Sequence, residues 1–332
     1  ITKGGSGDFV VGGDATSNGT VDISGGLINV TGGVTNIGKN NTATGTLTMS
    51  ATADFRTSQL VVGVGTGTGT VNLNGGTLRT AALNGGTGTS TVRFNGGMLQ
   101  ATADSATFIS GIGTAEIQSG GAKIDTQTFN VTASQAFSGS GGLTKSGSGT
   151  LTLTGNSTYG GATLVSAGTL LVNGSLGTSA VTVSSGARVG GGGTVGAVTV
   201  NSGAFIGAGN SIGTLTASSA VINGTLDVEF DGTGGGSIDL LAVTGNLDIT
   251  NAILDLSLIG ASADDAAYVF ASYGSLTGAS FASITGDLPS GYYIDYAFNN
   301  GVTSNNIALV IPEPAAMLLG SLGLLGLLLR RR

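Results

Sequence analysis

The 332-residue chain has no histidine, no cysteine, no tryptophan and only three prolines. Without His or Cys it cannot build a Ser-His-Asp or Cys-His nucleophile system, a typical zinc site or a disulfide. Charged residues make up 9% of the chain and aromatics 5%. Bases are scarce and unevenly placed: eight lie in residues 1–188, none in 189–329, and three close the chain as Arg330, Arg331 and Arg332. So thin a cationic distribution excludes a basic groove for nucleic acid. The net charge of −7 comes from a near-neutral first half, then eleven acids from Asp227 to Glu313 with no base among them.

Glycine is what the chain has in excess, 63 residues against a usual share of ~7%. The strict three-residue period of collagen is missing, and so is its proline. The mean hydropathy is positive, as in a membrane protein, yet the apolar residues mostly alternate with Thr, Ser, Asn and Gly. That alternation is the pattern of half-buried strands. Gly, Thr, Ser and Asn are poor helix-interior residues, so helix is disfavoured almost throughout.

An internal repeat organises the N-terminal region. Gly19-Thr20-Val21-Asp22-Ile23-Ser24-Gly25-Gly26-Leu27 recurs as Thr70-Val71-Asn72-Leu73-Asn74-Gly75-Gly76-Thr77-Leu78, as Thr91-Val92-Arg93-Phe94-Asn95-Gly96-Gly97-Met98-Leu99, and at Thr114 to Ile124. A degenerate copy begins at Thr46, with Ala51-Thr52 in place of the glycine pair. The starting threonines 20, 46, 70, 91 and 114 are 26, 24, 21 and 23 residues apart. Each copy reads as a strand, a glycine corner that needs positive φ, and a second strand. One copy cannot bury its apolar face alone, so the copies must stack, with Val21, Leu47, Val71 and Val92 in one interior column. A second register aligns Val181, Val198 and Leu215 at steps of 17. The resulting expectation is an all-β parallel β-solenoid of roughly ten coils, near 50 Å long at ~4.8 Å per coil.

Residues 143–172, from Leu143-Thr144-Lys145-Ser146-Gly147 through Gly155-Asn156-Ser157-Thr158-Tyr159 to Gly168-Thr169-Leu170, closely resemble the autotransporter-associated β-strand repeat. Asn156 is one residue off that family's spacing. The resemblance implies a right-handed parallel β-helix and covers roughly residues 138–226. The last 22 residues resemble a second family. Ile311-Pro312-Glu313-Pro314 precedes the uncharged Ala315 to Leu329 and then Arg330, Arg331 and Arg332, the layout of a PEP-CTERM sorting signal. Fifteen helical residues span only ~22 Å, short of a ~30 Å hydrocarbon core, which suits a temporary anchor. The arginines are expected on the cytoplasmic side, with everything before Pro312 outside the inner membrane. The resemblance implies an exosortase-type membrane protease that recognises Pro312, Glu313 and Pro314. Too few residues follow Val310 for an outer-membrane β-barrel, so the export route is expected to differ from that of an autotransporter. The chain starts at Ile1 without a leader and is expected to be a fragment or a processed form.

Other clusters are less decisive. Gly191 to Gly196 satisfies G-x-G-x-x-G, but no helix opens after it, so it reads as a corner rather than a nucleotide site. Gly4 to Asp8 partly matches a calcium-binding nonapeptide, but only once. Asp227, Glu229 and Asp231 alternate on one strand face, and Asp264-Asp265 is adjacent to an Ala-rich stretch; a solvated face, a calcium site and a catalytic pair all stay open. Five of the six tyrosines lie between Tyr268 and Tyr296, where they read as a terminal cap ahead of a carbohydrate platform. Arg79, Arg93 and Lys123 fall at different offsets in their repeats, against a clustered enzyme site.

The sequence thus predicts four regions: solenoid repeats over 1–137, autotransporter-type repeats over 138–236, an acidic Tyr-rich β cap over 237–310, and the sorting signal over 311–332 with a short transmembrane helix at 315–329. No catalytic residue, cofactor or metal is expected. The function expected is a non-catalytic cell-envelope or matrix protein of a Gram-negative-type bacterium, with exopolysaccharide or cell-surface matrix as a further partner. The alternatives are a β-helix polysaccharide lyase or hydrolase and a calcium-stabilised adhesin.

Overall fold

The computed structural model describes residues 1–232, 237–260, 263, 266–299, 301 and 305–311. It is an all-β, right-handed β-solenoid of about eleven turns. No helix occurs among the described residues, and none there is long and apolar enough to cross a membrane. The expected transmembrane helix at 315–329 lies outside the described residues.

One early coil shows the plan. Leu27–Val30 runs along a first face, Thr35–Lys39 along a second and Thr44–Met49 along a third. The next coil lays Asp54–Arg56, Gln59–Val64 and Thr68–Leu73 on top of them, each paired in parallel. The five repeat threonines fall in one register: Thr20 pairs with Thr46, Thr46 with Thr70, Thr70 with Thr91 and Thr91 with Thr114. Because side chains alternate along a strand, the next residue of each copy points inward. Val21, Leu47, Val71 and Val92 therefore form the expected column, the last three fully buried. A parallel column on the first face carries Ile28, Phe55, Leu78, Leu99 and Ile124.

Each early coil holds one strand more than the repeat alone suggests. The second face begins at Phe9–Val11, Thr35–Lys39, Gln59–Val64 and Ala82–Gly85, where apolar residues run into a glycine. Gly38 is one of these, with φ +68°, and an added Cβ would collide with the Thr68 carbonyl of the coil above. Gly12 and Gly63 repeat the arrangement. The third face ends at Ser138–Gly139 and continues only as isolated bridges, Asn156 to Ser175 to Thr194. Losing that strand shortens the coil: first-face partners lie 20, 18 and 17 residues apart at Leu143, Thr163, Val181 and Val198. The change in sequence period is thus a change from three-sided to two-sided coils.

One alignment fails. Val198 pairs with Ala220, not with Leu215. Five extra residues separate these turns because the chain makes a detour through Gly209 to Gly213, where Gly191 and Gly209 exchange hydrogen bonds outside the main ladder. Parallel stacking also continues past residue 236, through Ile253–Leu258 on Thr225–Asp231 and Ser283–Gly286 on Ile253–Leu258. The chain then reverses. Asn306–Val310 inserts antiparallel between Ala267–Ser272 and Tyr293–Phe298.

The degenerate repeat leaves Ala51 at φ +46°, a conformation that costs a non-glycine residue ~1–3 kcal/mol. Ala51→Gly should raise the thermal midpoint, by about 0.5–1 kcal/mol of stability. Gly38→Ala should lower it by about 2–4 kcal/mol through backbone strain and overpacking. Melts followed by circular dichroism check both signs.

Candidate functional site

The most unusual polar group in the interior is Lys145. It stands in the apolar first-face column, after Ile124 and before Val165, and is fully buried. Its Nζ donates to Thr126 Oγ1 at 3.0 Å and to the carbonyls of Ser146 at 3.0 Å, Gly147 at 2.8 Å and Ala167 at 3.0 Å. These acceptors belong to three successive coils. An ammonium has three protons, so four oxygens share them and every donor is used. Burial pulls the Lys145 pKa down to about 8, against the attraction of Asp125. Burial pushes the Asp125 carboxyl up, but hydrogen bonds from Gln100 and Gln127 and the Lys145 charge outweigh it and hold it low.

Tyr159 has a similar role in the following turn. Its ring is buried, and its hydroxyl meets Thr163 Oγ1 at 2.6 Å; Thr163 in turn contacts Ser179 Oγ at 2.9 Å. Asn156 bridges to Ser175 through its backbone. The polar residues that mark this segment are therefore coil-to-coil fasteners. Spacing alone does not reveal that Lys145 points inward; its place opposite Ile124 does.

The distal acids are dispersed. Thr225–Asp231 alternates buried and outward residues, with Asp227, Glu229 and Asp231 outward as expected. Arg188, two turns earlier, pairs with Asp227 across Gly207, whose missing side chain leaves the space. Burial raises the Asp227 pKa while Arg188 opposes it. Asp239 is buried, accepts the Gly213 and Glu229 amides at 3.0 Å each, and is pushed up to about 6, chiefly by burial. Among the described residues no group of three or more acids is placed to hold a metal ion. Asp264 and Asp265 lie outside the described residues.

The Gly191 to Gly196 motif is a corner: the Gly191 amide donates to Gly209, and a Cβ there would strike the Val172 carbonyl. Asp8 of the nonapeptide-like segment is tied to Lys39 at 2.8 Å, Asn36 at 2.8 Å and the Val34 amide at 3.2 Å. The tyrosines pack rather than line a platform. Tyr268 contacts Phe230 and Tyr292, Tyr296 contacts Phe281, and Tyr273 donates to the Tyr296 carbonyl at 2.6 Å. Tyr293 alone among them is largely exposed, at 48%. Arg79 and Lys123 share the first face, whereas Arg93 is on the third with Glu116 at 3.3 Å.

The last strand, Asn306–Val310, is buried along its whole length, and the chain emerges at Ile311. Pro312, Glu313, Pro314 and the Arg330–Arg332 cluster lie outside the described residues. Comparison with known families assigns both signatures: residues 143–172 match the passenger-associated-transport-repeat and residues 310–332 match the PEP-CTERM protein-sorting motif. The chain carries an export-associated repeat and a sorting signal. Neither family is of a catalytic kind, and the sorting motif implies processing by an exosortase, a membrane protease. No curated protein matches the chain.

Lys145→Met should lower stability at pH 7 by about 2–4 kcal/mol, because three buried carbonyls lose their donor. The native protein also gives up the Lys145 proton near pH 8, whereas the unfolded chain keeps it until about 10.5. Native stability should therefore rise with pH across that window, by up to about 3 kcal/mol. Urea denaturation from pH 8 to 10 should show this rise in the native protein and not in the variant.

Proposed function

We propose that this protein is a non-catalytic β-solenoid displayed at the cell surface or in the extracellular matrix, delivered there by its C-terminal signal. The observation that carries the reading is one of position. The sorting-motif match starts at residue 310, the last residue of the strand that closes the fold. Everything before it is one stacked shaft with an antiparallel end, and everything after it is signal.

On this reading Pro312, Glu313 and Pro314 are what the exosortase recognises, residues 315–329 hold the chain in the inner membrane, and Arg330, Arg331 and Arg332 stop it on the cytoplasmic side. Residues 1–236 form the displayed shaft and 237–310 its distal end. The shaft has no His or Cys to work with, and the polar residues of its best-matched repeat are used to hold coils together. That favours display, adhesion or matrix structure over polysaccharide cleavage.

Tags at both ends, followed through cell fractionation with and without the sorting protease, test this. The expected outcome is loss of the C-terminal tag and surface or medium recovery of the N-terminal one, only when the protease is present. Replacing Pro312, Glu313 and Pro314 with alanine should leave both tags in the inner membrane. A C-terminal tag that persists in every condition would overturn the sorting reading.

A further inference from the structure

The first face carries a shallow groove of about 510 Å³, lined by Asp54, Gly76, Thr77, Arg79, Met98 and Lys123 among others. Its register is set by the ladder: Asp54, Thr77, Met98 and Lys123 form one outward column, and Arg56, Arg79, Gln100 and Asp125 form the next. The glycine corners at Gly75, Gly76 and Gly96 leave one wall without side chains, so the trough runs open across successive coils.

The cations here differ from those elsewhere. Lys39, Arg93 and Arg188 each have a carboxylate partner, Lys145 is caged, and Lys3 donates to the Gly7 carbonyl. Among the described residues Lys123 is the only cationic side chain with neither an ion pair nor a hydrogen bond. Beside it, Arg79 uses Nε on Asp54 at 3.0 Å and Nη1 on Gln100, which leaves Nη2 without a protein acceptor. Asp54 is already shared between Arg56 and Arg79. Two unused cationic donors thus face one groove, and the local charge is positive on a chain of net −7.

We propose that this groove binds an acidic polysaccharide, with uronate carboxylates held between Lys123 Nζ and Arg79 Nη2. Coils repeat every ~4.8 Å, close to the length of one pyranose unit, so a polymer lying along the shaft meets about one sugar per coil. Met98 offers an apolar surface for the carbon–hydrogen face of a ring, and Thr77 a hydroxyl for its edge. The proposal rests on the surface-matrix reading and adds to it the ligand class and the residues.

The test uses purified full-length protein in native gels cast with polygalacturonate or with neutral dextran. The molecule as a whole repels a polyanion, so retardation reports a local site. The expected result is retardation by polygalacturonate alone, lost at high salt, and weakened at least fivefold by Lys123→Gln. Lys123 has no protein partner, so the variant should melt with the native protein, which separates lost binding from lost folding. No retardation, equal retardation by dextran, or a Lys123→Gln variant that binds like the native protein would each overturn the proposal. The gel is independent of sorting: a failure here leaves the tag experiment standing, and a failed tag experiment leaves the binding result readable.

Discussion

In-register stacking of coils is the constraint on which the rest depends. A single coil has only one layer of apolar residues and cannot exclude water from both sides of it. Its backbone donors and acceptors also point along the solenoid axis, toward the neighbouring coils. Both needs are met by the same neighbour, and only if the register holds, because a one-residue slip would turn every inward side chain outward. That is why Thr20, Thr46, Thr70, Thr91 and Thr114 keep one register through coils of different length. Length variation is absorbed at the corners, where glycine carries the backbone into conformations other residues resist.

Against that background Lys145 is an exception with a reason. The coil it belongs to is the first after the third face has ended, where each turn loses a strand and its hydrogen bonds. A lysine in the interior column reaches the corner carbonyls that a regular strand would have satisfied, and it links three coils at once. Tyr159, Thr163 and Ser179 do the same at the opposite corner. The polar residues of the motif thus stand where the architecture changes from three sides to two. Their cost is desolvation, and complete hydrogen bonding offsets it.

Much of this is legible in the sequence. The threonine steps, the Val21 to Val92 column and the glycine corners can be read because one face of the coil repeats with little change. The second face escapes such a reading because its strands are short and differ between coils: Phe9–Val11, Thr35–Lys39 and Gln59–Val64 share little beyond apolar residues before a glycine. Leu215 misleads for a different reason. Its local pattern, Leu-Thr-Ala, mimics Val198-Thr199-Val200, and only the pairing shows that the chain has already spent five residues in a side loop. For the functional groups, residue type and spacing show the scarcity of cations but not which cation is left without a partner; that depends on side chains from three coils meeting at one groove.

The two ends of the described shaft obey different rules. A parallel solenoid has no means of ending itself, since its last coil always exposes a new row of unpaired backbone groups. Here the row is closed by reversing the chain: Asn306–Val310 lies antiparallel between Ala267–Ser272 and Tyr293–Phe298, with Tyr268, Tyr292, Phe281 and Tyr296 packed beneath. The strand that completes this closure is the last one described, and the sorting-motif match begins on its final residue, Val310. An extended segment is needed for a protease to bind a chain, and a strand with neighbours on both sides is not available for that. The fold therefore protects itself up to Val310 by the same hydrogen bonds that end the stack, and whatever acts on the signal acts on the residues that follow.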